Sequence, residues 1–378
     1  MADQVVVKTD QIEIWNLTDG KIARSGCVDI FNIVGRVADP ASIEKFAYQL
    51  NDGPEVPVCF TRTPEPVARL RQPGDFNIDT IALADLRPEN RLSFSIKRTG
   101  GSAYRHAIRF RTAPFECAEP RFRLELNGAS GAEEVGQVVE GPWRVGEDEQ
   151  GRRCLEIVPE DAGYDRIILF GREDWTSGYE VRARLAVTRI VDRHNIGLVF
   201  KWNPHERGDG TWLPKKWSSG LGYYCSYGEH PGIRIRFGVQ AHYDEAGQIR
   251  GNYLLAHCPL TTRRQVLFNR IKEKARLARW TTELQEGREY SFRMVVQPRR
   301  LALAVWLADS AEPPPQLLVD DPIDPLSQGA AGILAYQVGV RLYEFEVRPL
   351  SDSPVRSAVG RSAECTTRRA AGEVGRVP

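Results

Sequence analysis

Residues 178–187 read GYEVRARLAV and residues 196–202 read IGLVFKW. Both are strand patterns, and the architecture of everything beyond residue 120 turns on them. Further runs of the same kind surround them: RCLEIVP at 153–159, DRIILFG at 165–171, IRIRFGV at 233–239, YSFRMVV at 290–296, LALAVWLA at 301–308, AGILAYQV at 331–338 and YEFEVRP at 343–349. So many strand candidates and so little convincing helix over 121–350 predict a large two-sheet sandwich or jelly roll.

The N-terminal third also alternates. GCVDIFNIVGRV at 26–37 places Phe31, Ile33, Gly35 and Val37 on one side and Asn32 and Arg36 on the other. RLSFSIKR at 91–98 puts Leu92, Phe94 and Ile96 on one face, and HAIRFRT at 106–112 repeats the pattern with Ile108 and Phe110. Such alternation marks half-buried antiparallel strands. Turn signals separate them: NDGP at 51–54, QPGD at 72–75, RPEN at 87–90 and TGG at 99–101. Strands at this spacing make a small β-sandwich. Residues 114–120 carry two prolines and no periodicity and read as a linker. The expected organisation is a sandwich over 1–113, the linker 114–120, a larger sandwich over 121–350 and a disordered tail over 351–378. The tail has no aromatic residue and no periodic apolar face to offset its ordering entropy.

The totals narrow the function. A length of 378 residues favours two domains over one. With 42% apolar and 27% charged residues the balance is that of a soluble globular chain. A net charge of +1 gives no whole-chain argument for nucleic acid or membrane. The seven cysteines, at 27, 59, 117, 154, 225, 258 and 365, are odd in number and scattered. They argue against a disulfide framework and structural zinc, and they fit a reducing compartment. MADQVVVKTDQIEIW at 1–15 lacks the basic and apolar regions of a signal peptide. No apolar run reaches the roughly 18 residues of a membrane span. The expectation is a cytoplasmic protein with no membrane partner, non-classical export being left open.

Two resemblances refine this. VGRVADPASIEKFAYQLNDGPEVPV, followed by RLRQPGDFNIDTIALADLRPENRLSFSIKRTGGSAYRHAIRFRT, resembles a bacterial immunoglobulin-like domain over roughly residues 10–113. Gly35 to Pro40, the Tyr48-x-Leu50-Asn51-x-Gly53 strand end, Gly74-Asp75-Phe76 and the Leu86-x-Pro88-x-Asn90 turn carry the likeness. They are scaffold features, so the resemblance implies an accessory role. It lacks the Cys…Trp…Cys core of antibody domains. Over roughly 121–350, GYEVRARLAV leading to IGLVFKWNPH, then GREYSFRMVVQPRRLALAVWLAD and GAAGILAYQVGVRLYEFEVRPL, resemble the concanavalin A-like lectin/glucanase superfamily, nearest its laminin-G-like domains. That implies an all-β jelly-roll sandwich, in a superfamily holding lectins, hydrolases, lyases and inert adhesion modules. It also bears on 261–284, where Leu267, Ile271 and Ala275 fall four apart as in a helix. The superfamily reading, preferred here, makes 275–284 a strand paired with 289–296 across Gln285–Gly287.

In that superfamily the concave sheet and its bordering loops hold sugar. The resemblance directs attention to KWNPHERGDGTWLPKKWSSGLGYYCSYGEH at 201–230. Aromatic rings stack on the apolar faces of sugars while charged and amide groups bond the hydroxyls. The candidate ligand-binding set is Lys201, Trp202, His205, Trp212, Lys215, Lys216, Trp217, Tyr223, Tyr224 and Tyr227, continued by Arg234 and Arg236. A mini-core of Trp212, Trp217 and the tyrosines under a long loop is an equal alternative. Between 201 and 236 six Lys/Arg face three acids, and between 263 and 279 seven face Glu273 alone. A basic face would favour an anionic polysaccharide; a solvated basic edge is the common alternative. Aromatics among basic residues also suit single-stranded nucleic acid, yet no OB or RNA-recognition signature appears, and nucleic acid is not expected. RGD at 207–209 is a chance-level match.

Catalysis has weaker support. The superfamily's retaining glucanases carry E-x-D-x-x-E, which places two acids on one strand face; that motif is absent. Glu344 and Glu346 share a strand face, but Tyr343, Phe345 and Val347 read as the apolar side, so the acids read as solvent-facing. GVQAHYDE holds Gln240 and His242 in the Q-x-H spacing of jelly-roll alginate lyases, without that family's other strands. No cofactor or metal ligand is evident; structural calcium stays open, although no D-x-D-x-D-G loop exists. The expectation is non-catalytic binding of a polysaccharide or oligosaccharide, possible anionic character included. The rivals are a polysaccharide lyase or glycoside hydrolase acting on a uronate-rich polymer, and a structural or protein-interaction module. The oligomeric state stays open.

Overall fold

A computed structural model describes residues 7–8, 11–28, 30–62, 72–157, 165–176, 178–202, 235–243, 246, 249–257, 279–280, 284–298, 300–320 and 328–350. The tail 351–378 and the segments 203–234 and 258–278 lie outside the described residues. The described chain is all-β, with 22 strands and three short 3-10 turns. No helix among the described residues is long and apolar enough to cross a membrane.

The N-terminal strands form two sheets. One runs Val7–Lys8, Ile12–Ile14, Ile30–Val37, Asp75–Ala82; the other runs Ile22–Ser25, Ala103–Pro114, Glu89–Arg98, Ile43–Leu50, Glu55–Pro57. Ile22–Ser25 lies parallel to Ala103–Pro114, and the remaining pairs are antiparallel. The period-two residues meet between the sheets: Leu92, Phe94, Ile96, Ile108 and Phe110 against Ile12, Ile14, Ile33, Phe76 and Ile78. Phe46 packs edge-on to Phe60 and Phe76, with centroids at 5.9 and 5.3 Å. Each such buried ring contributes about 1.5–3 kcal/mol. The Gly74 turn has a steric cause. At φ 93 a Cβ would lie 2.1 Å from the Val37 carbonyl oxygen, so only glycine fits. The turn delivers Asp75, whose buried carboxylate accepts from Arg36 Nε at 2.6 Å and from the Gln72 N–H at 2.8 Å.

The C-terminal part is organised by two long strands, Tyr179–Trp202 and Ala330–Pro349. They pair antiparallel along their lengths, with register shifts between Arg184 and Leu185, Val187 and Arg189, Ile190 and Asn195, and Val199 and Trp202. Bulges bend and twist a strand, so each strand serves two layers. In the first layer residues 179–186 pair with Glu289–Gln297, which continues to Arg300–Leu307 and Leu317–Asp320. On its other side Ala330–Pro349 takes Arg153–Glu156 and Phe122–Arg123. In the second layer residues 195–200 pair with Ile235–Tyr243, followed by Ile249–His257 and Arg279–Trp280. Its other side takes Asp165–Phe170 and Gln137–Glu140. Between the layers Val181, Leu185, Phe292, Met294 and Leu303 share one core with Ile168, Phe170, Leu198, Phe200 and Ile333. Arg279 and Trp280 are in a strand, as expected for 275–284, but they pair with Tyr253 and Asn252. Glu289–Gln297 cannot take them because both its edges are already occupied.

The alternation of Ile30–Val37 predicted one wet face, and the structure buries both. Asn32 and Val34 are buried, and Arg36 alone of the strand is half-buried; Val34 joins the C-terminal core, and Asn32 donates to Asn77 Oδ1 at 3.0 Å. The covering surface is the outward face of the second layer. There Ile167, Leu169, Val199 and Leu334 pack with Val139 against Cys27, Val28 and Phe115. Phe115, inside the segment read as a linker, is thus buried. Polar groups are satisfied across the junction. Gln137 accepts from the Cys27 N–H at 3.0 Å and donates to the Ile30 carbonyl at 2.7 Å. Asn77 donates to the Val139 carbonyl at 3.1 Å, and Thr18 to Glu133 at 2.6 Å.

Candidate functional site

Most of the aromatic and basic set read from the sequence, His205, Trp212, Lys215, Lys216, Trp217, Tyr223, Tyr224, Tyr227 and Arg234, lies outside the described residues. Lys201 is 4% exposed, with φ 47, at the irregularity that ends the long strand. Trp202 pairs with Ala330, Arg236 with Val199 and His257, Gln240 with Asn195 and Tyr253, and His242 with Gly251. The side chains of these four fall outside the described residues.

The described residues do form a site elsewhere. An open groove of about 410 Å³ lies over the outward face of the first layer. Register builds it. Trp306 lies opposite Ser291, Ser291 opposite Arg184, and Arg184 opposite Glu344. Two residues along, Arg182 lies between Arg293 and Glu346, and Glu346 lies beside Arg123. The intervening Ala183, Phe292 and Phe345 are buried in the core, so the period of two sends the polar residues outward. Trp306 is half-buried. Among the described residues neither its indole N–H nor the Ser291 hydroxyl has a hydrogen-bond partner.

The charges are fixed by one another. Glu180, 4% exposed, accepts from Arg182 Nε and Arg293 Nε, each at 2.6 Å. Glu312 meets the same two guanidiniums at 2.9 and 3.2 Å. The four side chains close a ring of alternating sign. Burial pushes the Glu180 carboxyl up, but its bonds to both arginines outweigh burial and hold it below the usual range. Arg184 lies 2.7 Å from Glu289 and 3.8 Å from Glu344, and Arg348 pairs with Glu346. Glu289 also takes Arg152, and bonds to both arginines lower its carboxyl.

Tyr343 departs from the expected apolar face. The register shift at Arg184 and Leu185 leaves it out of the ladder, half-buried, with its hydroxyl donating to Asp148 Oδ2 at 3.0 Å. Arg152 covers its ring at 4.1 Å. Burial would raise the Asp148 carboxyl. The N–H groups of Arg152 and Gln150, the Arg152 guanidinium and Tyr343 together hold it down at about 2. Glu344 is solvent-facing as expected, and with Glu346 it lines the groove. Among the described residues no group of three or more His, Cys, Asp or Glu could hold a metal ion. Among the described residues Cys27, Cys59, Cys117 and Cys154 form no disulfide.

No family model matches the chain, and no curated protein does. Solved structures similar to it include a Bacillus subtilis protein of unknown function with a galectin-like fold. It is 12% identical, covering 60% of this chain and 94% of its own, with a TM-score of 0.37. The VIP36 exoplasmic/lumenal domain, in a form bound to Ca2+ and Man2, is 12% identical over 62% and 89%, with a TM-score of 0.37. A Lotus tetragonolobus seed lectin is 10% identical over 60% and 97%, with a TM-score of 0.37. Scores below 0.5 carry no assignment. The architecture rests on the strand pairing and cores described above: an all-β protein whose C-terminal strands fold into a two-layer sandwich.

Proposed function

We propose that this chain binds carbohydrate without transforming it, on the outward face of the first layer. Trp306 carries the reading: a half-buried indole without a hydrogen bond among the described residues, beside a Ser291 hydroxyl equally without a partner among them and a row of fixed guanidiniums and carboxylates. An aromatic face next to preorganised donors and acceptors suits the mixed apolar and hydroxyl surface of a sugar. Holding the charges in mutual pairs removes the entropy of arranging them on binding. The arrangement offers binding rather than acid-base work, because Glu344 and Glu346 each have an arginine partner.

The test is a calorimetric titration of oligosaccharides into the protein and into Trp306→Ala. The variant should fold normally and bind about tenfold more weakly or worse. Equal affinity in the two proteins would remove the groove from the proposal. The segment from Lys201 to Arg236 stays the second candidate, read by Trp212→Ala and Trp217→Ala in the same titration. A chelator arm reads whether calcium braces the site, and incubation with uronate polymers, followed for unsaturated product, reads the lyase alternative.

We further propose two domains, 1–113 and 121–350, the first an immunoglobulin-like accessory module. Supporting this are the separate N-terminal core and the strand order. In chain order the first sheet holds strands equivalent to A, B and E, and the second holds G, F and C.

A further inference from the structure

Resting on the carbohydrate reading, we infer that the groove selects uncharged glycans and rejects polyanions. The reason is how its cations are spent. Arg182 and Arg293 are each bonded to both Glu180 and Glu312. Arg184 is held by Glu289 and faces Glu344, Arg348 is held by Glu346, and Arg123 lies 3.8 Å from Glu125. Among the described residues five arginines therefore meet six glutamates, and none of these guanidiniums stands without a carboxylate. A uronate or sulfate would have to displace a tethered glutamate while approaching the exposed carboxylate of Glu344 and the neighbouring Glu346. Removing one member of a pair leaves the other uncompensated, and like charges within a few ångströms repel. A neutral diol meets no such obstacle. One hydroxyl can accept from a guanidinium while its neighbour donates to the paired carboxylate, so each ion pair presents a donor beside an acceptor without being broken. The Trp306 indole and the Ser291 hydroxyl then supply an apolar platform and one further polar contact. The anionic preference read from 201–236 and 263–279 concerns other residues.

The experiment titrates neutral oligosaccharides of mannan, β-glucan and galactan, and anionic ones of alginate and polygalacturonate, into the full chain at low and high salt. At least one neutral series should bind, with affinity changing less than about twofold across the salt range, since no net charge is neutralised. The polyanions should bind at least about tenfold more weakly at the groove. The double variant Glu344→Gln, Glu346→Gln frees Arg348 and removes the Glu344 charge facing Arg184, which keeps Glu289. It should gain about tenfold or more for the polyanions and acquire salt dependence. Polyanion binding that Trp306→Ala leaves untouched lies outside the groove and agrees with the inference. Polyanion binding tighter than any neutral series, and weakened by Trp306→Ala, overturns it while leaving the carbohydrate reading standing. If neither class binds, the carbohydrate reading falls and this inference falls with it.

Discussion

From one layer of the C-terminal sandwich project Ile167, Leu169, Val199 and Leu334; from the other project Arg182, Arg184, Ser291 and Glu344. Both sets lie on faces turned away from the shared core, and both belong in part to the same two long strands. One face is apolar and carries the N-terminal sandwich. The other is a lattice of ion pairs with a tryptophan at its side, and it stays open. A sheet whose second face is apolar must be covered, because exposed apolar area is removed from water wherever a partner exists. The difference separates the faces: one joins the two sandwiches, and the other stays open, where we propose that a ligand binds.

The comparison can be broken most forcefully at the covered face. Leu169→Ala deletes a fully buried side chain at the junction and should cost about 2–5 kcal/mol in urea unfolding. Ser291→Ala, on the open face, should stay within about 0.5 kcal/mol. Equal losses would show that the two faces do not differ in kind. A smaller loss is expected from Gln137→Ala, which strands the Cys27 N–H and the Ile30 carbonyl. About 1–3 kcal/mol follows from leaving buried polar groups unpaired, and a neutral result would mean water replaces the amide there.

The gentlest probe is acid. Asp148, depressed to about 2, carries stability that is fully present above its ordinary carboxylate value. Glu180 and Glu289 are shifted in the same direction. This stability drains away as the pH falls from about 4 towards 2. Thermal unfolding should lose midpoint across that window, and Asp148→Asn should flatten the slope. An unchanged slope in the variant would assign the acid sensitivity to other carboxylates.

Where burial is one-sided the sequence is easily read. Leu92, Phe94 and Ile96 alternate with Ser93 and Ser95, and the strand is where the alternation places it. At Ile30–Val37 the same reasoning left Asn32 to solvent, because nothing local announces that a second sandwich lies on that face. The groove was illegible for a related reason. Arg184, Ser291, Trp306 and Glu344 come from separate strands and meet only through register, which sequence spacing does not encode. Tyr343 shows the limit at single-residue scale: one bulge moved it off the face its parity assigned. The dense aromatic stretch at 201–230 drew attention because its signal is contiguous, and contiguity is the one thing a groove across a sheet lacks.

The Ala330–Pro349 strand has a consequence for biosynthesis. It is hydrogen-bonded to Phe122–Arg123, Arg153–Glu156, Asp165–Phe170 and Tyr179–Trp202, so it joins the flanks of both layers to their centre. It is also the last of the described strands to be made. On the ribosome its partners must wait, with their apolar faces unpaired, until it emerges, while the N-terminal sandwich already holds all its own strands. That waiting interval, rather than the finished fold, is when unpaired strand edges and apolar faces leave the chain most open to misassembly.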